Sequence, residues 1–324
     1  MQTTALTGAS GFLGRYLAEE LLRRGHKVRA VVRDARRLKV SGAEVVEGDV
    51  ADVTVLAQAF DGADAVVHNA AVVSFMKNRR DAMRRTNAGG AENAVNAALA
   101  AGVKSFVLVG SVAALGRPGR QGRFDESARW SESPYNTYYG YTKYLAEKHV
   151  FRGREEGLNA VVVNPSTILG YGDEERGSPS LFFQAMRGQR FYPQGGTGFV
   201  AATDVARAVA ILSETRRYPD ERYILSAENL TYKELFESMA RAFGTPAPSR
   251  AVSASLARVY GFFAEVRAAL AGKESVVTRE SVRTAGGLYA YDGTLFTRRF
   301  DFAYTPVQNV IEETALKMKL AAAT

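Results

Sequence analysis

The sequence predicts a doubly wound, parallel α/β sheet followed by a smaller, mostly helical domain. Two observations predict it. Short β-branched runs alternate with amphipathic helical patterns through the first half of the 324 residues, and this rhythm stops after Pro165. Thr3–Leu6 opens the first strand. Phe12, Leu13, Tyr16, Leu17 and Leu21 share one face of a helix over 12–24, which Gly25 ends. Strands are predicted at Val28–Val32 and Ala43–Glu47, a short helix at Val53–Phe60 and a fourth strand at Ala65–His68. A long alanine-rich helix over 83–101 closes at Gly102, and Ser105–Val109 is the fifth strand. A helix over 138–153 and a strand over 160–164 complete the repeat. Strands separated by helices specify a parallel sheet covered on both faces.

Beyond Pro165 the pattern is different. Residues 171–179 read as a loop rich in Gly, Asp and Pro, 180–187 as a helix and 192–198 as a turn-rich link. A helix over 203–212 and a short strand over 223–226 follow, and the chain from Thr231 onward reads as mostly helical with a break at Pro246 and Pro248. The expected division is residues 1–168 as the main domain, with 199–227 returning to it, and 169–198 plus 228–324 as a lid.

Composition narrows the chemistry. There are no cysteines, so disulfides, thiol nucleophiles and cysteine metal sites are excluded. The three histidines, His26, His68 and His149, have no metal-ligand spacing, so no metal is expected. No apolar run approaches the roughly 18 residues of a membrane span. The N-terminal segment enters a strand at once, without the charged and apolar regions of a secretory signal. A cytoplasmic protein is expected. The net charge of +8 comes from basic residues spread along the chain, with denser groups at Arg33–Lys39 and Lys77–Arg85. No aromatic residues interleave with them, so a small anionic ligand is expected rather than nucleic acid.

The segment from Gly8 to Gly14, Gly-Ala-Ser-Gly-Phe-Leu-Gly, lies between the first strand and the first helix. Gly8 permits the tight turn, Gly11 a close backbone approach to pyrophosphate, and Gly14 close helix–strand packing, while Ser10, Phe12 and Leu13 line the same turn. The expected fold is therefore a Rossmann sheet that binds a dinucleotide, and the second domain becomes a substrate-binding lid. An acid that would hold the ribose 2′-hydroxyl of NAD is missing at the end of the second strand, where Val32 is followed by Arg33, with Arg36 and Arg37 close behind. An arginine clasps a 2′-phosphate, so NADP(H) is preferred and NAD(H) is the alternative. Asp49, next to Val50, sits where an acceptor meets the adenine amino group. Asn69, Ala70 and Ala71 give the backbone a small-residue path beneath the cofactor.

Tyr139 and Lys143 stand four residues apart, which places them on one face of a helix. A free tyrosine, with a pKa of about 10, is a poor base at neutral pH. A neighbouring ammonium and the positive ring of an oxidised nicotinamide favour the phenolate. Bringing the pKa to about 7 takes roughly 4 kcal/mol of differential interaction. Tyr135, Tyr138, Tyr141 and Tyr144 are rivals, but only Tyr144 also has a lysine four residues on, Lys148, and that pair lacks an upstream serine at a suitable distance. Ser111 follows the fifth strand, at the sheet edge where ligands of such folds bind, and can hydrogen-bond a substrate oxygen as charge develops.

TGASGFLG, HNAA, FVLVGSVAALG, YGYTK and NPSTILG, in this order and spacing, resemble the extended short-chain dehydrogenase/reductase family of NAD(P)-dependent epimerase/dehydratase type. The resemblance covers nearly the whole chain. It implies Ser111, Tyr139 and Lys143 as the catalytic trio, with Asn87 as the family's asparagine in the fourth helix. It also implies that Lys143 holds the nicotinamide ribose and that Asn164 and Ser166 contribute to the cofactor site. The Val31–Asp34 segment, VVRD, is similar to the NADP-dependent dihydroflavonol-reductase-like branch. The resemblance also implies that the helices over 83–101 and 138–153 pair across a two-fold axis as the four-helix bundle of a homodimer.

The chain departs from sugar-nucleotide enzymes of the family. Their Arg-Asp pair is missing before Phe199, Ser-Pro-Ser occupies 178–180, and Gly110 replaces a second serine or threonine. The expected activity is thus an NADPH-dependent carbonyl reductase, reversibly an alcohol dehydrogenase, with Tyr139 as proton donor to an aldehyde or ketone. Val72, Phe75, Met76, Tyr171, Phe182 and Phe183 are the expected apolar pocket wall. An NAD-dependent nucleotide-sugar epimerase or dehydratase and a non-catalytic NAD(P)-sensing scaffold are the alternatives.

Overall fold

The computed structural model describes residues 1–172, 177–252 and 278–323. Seven strands form the principal sheet: β1 (Thr3–Thr7), β2 (Lys27–Val32), β3 (Glu44–Glu47), β4 (Ala65–His68), β5 (Ser105–Val109), β7 (Ala160–Pro165) and β11 (Arg222–Leu225). Their order is β11-β7-β5-β4-β1-β2-β3, and every pairing is parallel. Strand order reverses beside β1, and in such sheets a ligand binds in the crevice at the carboxyl ends of the strands there.

The alternation of side chains along each strand explains why both faces are covered. Leu6, Val107, Val109, Val161 and Val163 point into one core, with Leu13, Leu17 and Leu21 of helix α1 (Phe12–Arg23) and Val205, Val209 and Leu212 of α7 (Ala202–Glu214). Ala5, Phe106, Leu108, Ala160 and Val162 point into the other. There they meet Leu56 and Phe60 of α2 (Val53–Phe60), Ala91, Ala94 and Ala98 of α4 (Gly90–Ala101), and Ala146 and Val150 of α5 (Tyr138–Glu155). A strand buried on both sides needs an unbroken apolar run, as β5 and β7 have. Gly102 ends α4 in the left-handed region, φ +63°, and the turn it makes satisfies the carbonyls of Ala98 and Leu99. The long helix expected from residue 83 is split: α3 (Arg80–Met83) and a π-helical turn, Arg84–Gly89, precede α4.

The second layer is less helical than its sequence suggests. It is built on a small sheet of order β12-β10-β14-β6: β6 (Gln121–Phe124), β10 (Gly196–Ala201), β12 (Glu228–Thr231) and β14 (Leu288–Tyr291), with β8 (Thr167–Leu169) beside β10. A separate pair joins β9 (Phe191–Pro193) to β13 (Arg250–Val252). The stretch expected as a turn-rich link thus carries β9 and the start of β10, and 288–291 lies in a strand rather than a helix. These strands are short, and β10 contains Gly196 and Gly198, which read as turn residues. The glycines are there for close packing: a Cβ on Gly196 would lie 2.7 Å from the Leu230 carbonyl oxygen, and one on Gly198 would lie 2.3 Å from Ser226 Oγ. The layer's apolar core joins Leu169, Phe182, Phe199, Leu235 and Phe236 to Ile311 of the C-terminal helix Val307–Ala323. Among the described residues, no helix is long and apolar enough to cross a membrane and no group of acidic or histidine side chains has the makings of a metal site.

Candidate active site

The turn between β1 and α1 is a backbone-lined cradle. Gly8 adopts φ +72°, and a Cβ there would stand 2.8 Å from Ala70 Cα. A Cβ on Gly14 would stand 2.1 Å from the Gly8 carbonyl oxygen, so α1 crosses the turn at a distance only glycine allows. Gly11 is the N-cap, with no side-chain cap and no acid in the first turn, and Arg15 N–H donates back to its carbonyl. The open N–H groups at Phe12 and Leu13 and the positive helix end fit a pyrophosphate. The residues present therefore fit a dinucleotide cofactor.

Thr7, the last residue of β1, was not singled out from the sequence. Its hydroxyl accepts from the N–H groups of both Asn69 and Ala70 at 3.1 Å, and Asn69 Nδ2 donates to the Gly8 carbonyl at 3.3 Å. This binds the ends of β1 and β4 together under the cradle. Thr7 Oγ1 also lies 3.0 Å from His68 Nδ1. Burial, with help from the Lys143 charge, lowers the His68 pKa to about 3, so the ring is neutral and packs on Phe106.

Arg33 stands exposed just beyond β2. Asp34, the nearby acid, is engaged: it caps the short turn Ala35–Arg37 and grips Arg36 through two side-chain bonds of 2.9 and 3.0 Å. That contact holds its carboxyl below the usual range. Of the three arginines read from the sequence, Arg36 is thus occupied by Asp34. Asp49 takes the Ala51 N–H at 2.9 Å, and Val50 is buried.

The catalytic candidates meet at the end of β5. Ser111 is the N-cap of the turn Val112–Leu115 and accepts from Ala113 N–H at 3.2 Å. Thr137 caps α5, accepting from Gly140 N–H at 2.9 Å. A Cβ on Gly140 would lie 2.6 Å from the Ala113 carbonyl oxygen. The first turn of α5 therefore rests directly on the Ser111 loop, and this contact brings Tyr139 to Ser111. The Tyr139 pKa rises to about 12 through burial, opposed by the hydrogen bond with Ser111. Within the chain alone, desolvation of the phenolate outweighs the Ser111 contact; the lowering expected from the sequence belongs to the site with an oxidised nicotinamide beside the ring. Lys143 Nζ donates to the Val109 carbonyl at 2.7 Å. Burial lowers its pKa to about 8, with Glu147 opposing. The rival pair Tyr144–Lys148 lies outside this pocket, with the Lys148 ammonium 5.8 Å from the Tyr144 ring centroid and Trp130 stacked on the same tyrosine.

Beneath Lys143 is a polar group that the sequence reading missed. Glu147 Oε1 accepts from Asn164 Nδ2 at 2.5 Å, and its other oxygen lies 3.3 Å from Arg222 Nη2. Asn164 Nδ2 also donates to the Ser111 carbonyl at 2.9 Å. Burial raises the Glu147 pKa to about 6, against the pull of Arg222. Glu147 follows Lys143 by one helical turn, a spacing that marks the shared face, whereas Arg222 is 75 residues further on and carries no local signal. Gly110 is explained by the same group, since a Cβ there would lie 2.9 Å from Asn164 Nδ2 and 3.0 Å from Glu147 Oε1. Asn87, placed among the catalytic residues by resemblance, is a brace. It accepts from Val72 N–H at 2.7 Å and donates to the Val72 carbonyl and to Thr142 Oγ1. Both ends of its amide are committed, so it ties the loop after β4 to α5. Asn164 is fully buried and Ser166 nearly so, and Ser166 Oγ has no partner.

Of the expected pocket wall, Val72, Phe75 and Met76 share the loop after β4, whereas Tyr171 and Phe183 pack at the edge of the second-layer core. Phe182 is fully buried within that core, and its role is packing. The Tyr171 carbonyl accepts from Tyr16 OH at 2.9 Å, and the space beside Gly172 is filled by Phe12 and Pro179. The described part of the loop thus crosses next to the cradle. A groove of about 510 Å³ between Gln121, Thr197, Leu230 and Leu288 holds none of Ser111, Tyr139 and Lys143.

Residues 4–225 match the model of the NAD dependent epimerase/dehydratase family, and the chain belongs to that family. It is an NAD(P)-dependent oxidoreductase of the extended short-chain dehydrogenase/reductase type. A dihydroflavonol 4-reductase-like protein of Synechocystis is 28% identical over 316 residues, 95% of this chain and 92% of its own. Sterol demethylase protein B of Methylococcus capsulatus is 33% identical over 259 residues, 77% of each chain. Among solved structures, gox2253 superposes with a TM-score of 0.83 at 29% identity, covering 99% of both chains.

Proposed function

We propose that this protein is an NADPH-dependent carbonyl reductase, acting reversibly as an alcohol dehydrogenase. The observation that carries the proposal is the buried Tyr139 phenol hydrogen-bonded with Ser111 at the end of β5. A phenol is protonated at neutral pH and can donate that proton to an oxygen that is gaining negative charge. When bound, the nicotinamide supplies the hydride. Ser111 orients the carbonyl oxygen, and Lys143, held on the Val109 carbonyl, stands one turn along the same helix face as Tyr139. Asn164, donating to both Glu147 and the Ser111 carbonyl, ties helix α5 to the Ser111 loop. Arg33, exposed and followed by an acid already gripped by Arg36, supports NADPH over NADH.

A sugar diphosphate needs fork-shaped cationic partners. The segment before Phe199 carries Gly196 and Gly198, where even a Cβ would meet the backbone of Leu230 or Ser226 Oγ, so this strand offers no such partner. The test is turnover. NADPH oxidation with aromatic or aliphatic aldehydes, and not with nucleotide sugars, supports the reductase. Micromolar binding of a uridine or guanosine diphosphate sugar, with the cofactor retained through turnover, replaces it with an epimerase. Cofactor binding without any turnover leaves a sensor.

A further inference from the structure

We infer that Arg117 anchors a substrate subsite for a carboxylate, so that the compound reduced carries an acid group away from its carbonyl. This rests on the reductase reading and names the substrate class. Arg117 lies on the segment between Ser111 and Tyr139. Its backbone N–H is held by Asn136 Oδ1 at 2.7 Å, three residues before Tyr139. Val112 and Leu115, on the same segment, pack against Phe124, Tyr289 and Tyr291 of the second layer. Arg117 is therefore tied to both catalytic loops at the junction of the two layers.

Its chemical state is unusual for a buried cation. Arg117 is only 8% exposed, and its Nε makes no hydrogen bond. No carboxylate among the described residues pairs with it. Arg222, similarly buried, is paired with Glu147. The guanidinium of Arg117 instead lies 4.5 Å from the Tyr289 ring centroid. A ring face attracts a cation but leaves the buried Nε–H unsatisfied, and a charge held this far from water without a counter-ion is disfavoured.

Other unpartnered groups surround the same tyrosines. Tyr291 OH, Ser166 Oγ and Ser226 Oγ are buried without hydrogen bonds. They collect around Gly198, whose missing Cβ would be 2.3 Å from Ser226 Oγ, 3.0 Å from Ser166 Cβ and 3.1 Å from Tyr291 Cδ2. Arg117 and Tyr291 both act electrostatically on Tyr232 and Tyr289, so the cation and the Tyr291 hydroxyl share these ring neighbours. A cation and several hydroxyls, all able to donate, define a site for an acceptor. The flat guanidinium, covered on one face by Tyr289, offers its edge to a planar two-oxygen ligand, which is the geometry of a carboxylate.

The experiment is titration calorimetry of the cofactor-loaded protein with phenylbutyrate and phenylbutyramide, which differ in charge and not in size. Wild type is expected to bind the acid at least about tenfold tighter, a difference of about 1.4 kcal/mol. Arg117→Met should erase that preference. Arg117→Lys, which keeps the charge and loses the fork, should reduce it several-fold and decides the matter if the methionine variant does not fold. Equal binding of acid and amide by wild type, or a preference unchanged in the variants, overturns the subsite. Oxidation of NADPH by wild type with benzoylpropionate, the free keto acid, reports on the reductase reading separately. An acid preference that tracks Arg117 without turnover of the keto acid keeps the subsite and removes the reductase.

Discussion

The ends of β1 and β5 lie at the same edge of one parallel sheet, with β4 between them, yet they are built from different materials. At the end of β1 the surface offered to a ligand is backbone: Gly8, Gly11 and Gly14, the open first turn of α1, and the Thr7 hydroxyl tying in Asn69 and Ala70. At the end of β5 it is side chains whose protonation is shifted by burial: Tyr139 up, Lys143 down and Glu147 up. Amide dipoles do not titrate, so the cradle keeps its anion-binding character at any ordinary pH. The catalytic end trades that constancy for groups that exchange protons. The difference teaches that binding and turnover in this protein should be separable by mutation and by pH.

The strongest test of that separation is Tyr139→Phe. The ring remains and only the proton donor is lost, so turnover should fall about 10³-fold, within the range for general acid catalysis. Cofactor affinity, measured by fluorescence titration, should stay within about twofold. Parallel loss of both quantities would mean that the two strand ends are not independent.

Gly14→Ala attacks the other end. A Cβ 2.1 Å from the Gly8 carbonyl oxygen forces α1 away from the turn. Overpacking of this kind costs about 1–3 kcal/mol. A lower Tm and weaker binding of NADPH and NADH alike should follow. An unchanged Tm with full affinity would show that the cradle has room that its geometry denies.

Arg33→Ala sharpens the distinction between the backbone cradle and the side chains added to it. Affinity for NADPH should fall about tenfold, the worth of one charge-assisted contact of about 1.4 kcal/mol, while affinity for NADH holds. Equal loss for both cofactors, or a wild-type preference for NADH, would refute the assignment of Arg33 to the 2′-phosphate.

The smallest expected effect is a change of slope with pH. Burial raises the folded pKa of Glu147 to about 6, from the ordinary carboxylate value of about 4.5. The folded state therefore binds this proton more tightly than the unfolded state. Its stabilising contribution is complete below the unfolded value and is lost as pH rises through the folded one. Glu147→Gln should flatten the dependence of Tm on pH between about 4.5 and 6. A variant whose Tm keeps the wild-type slope across that window would place the titration elsewhere.

By itself the sequence determined the first layer. The glycine spacing at 8, 11 and 14 works through residues adjacent in the chain, and the helix period puts Tyr139 and Lys143 on one face. The apolar runs of β5 and β7 require cover on both sides. Local patterns suffice there because each feature acts within one turn of helix or one strand. What only the tertiary structure decided depends on partners far apart in the chain. Strands β6 and β14 pair across more than 160 residues, and neither has the length or alternation to announce a strand. Phe182 reads as a pocket wall until its neighbours Leu235 and Phe236 arrive to bury it. Asn87 is singled out by resemblance, and only the fold shows that Val72 and Thr142 occupy its amide. The environment of Tyr139 belongs here too: the pattern Tyr-x-x-x-Lys reports a nearby charge, whereas how completely water is excluded from the phenol is a property of the folded surroundings.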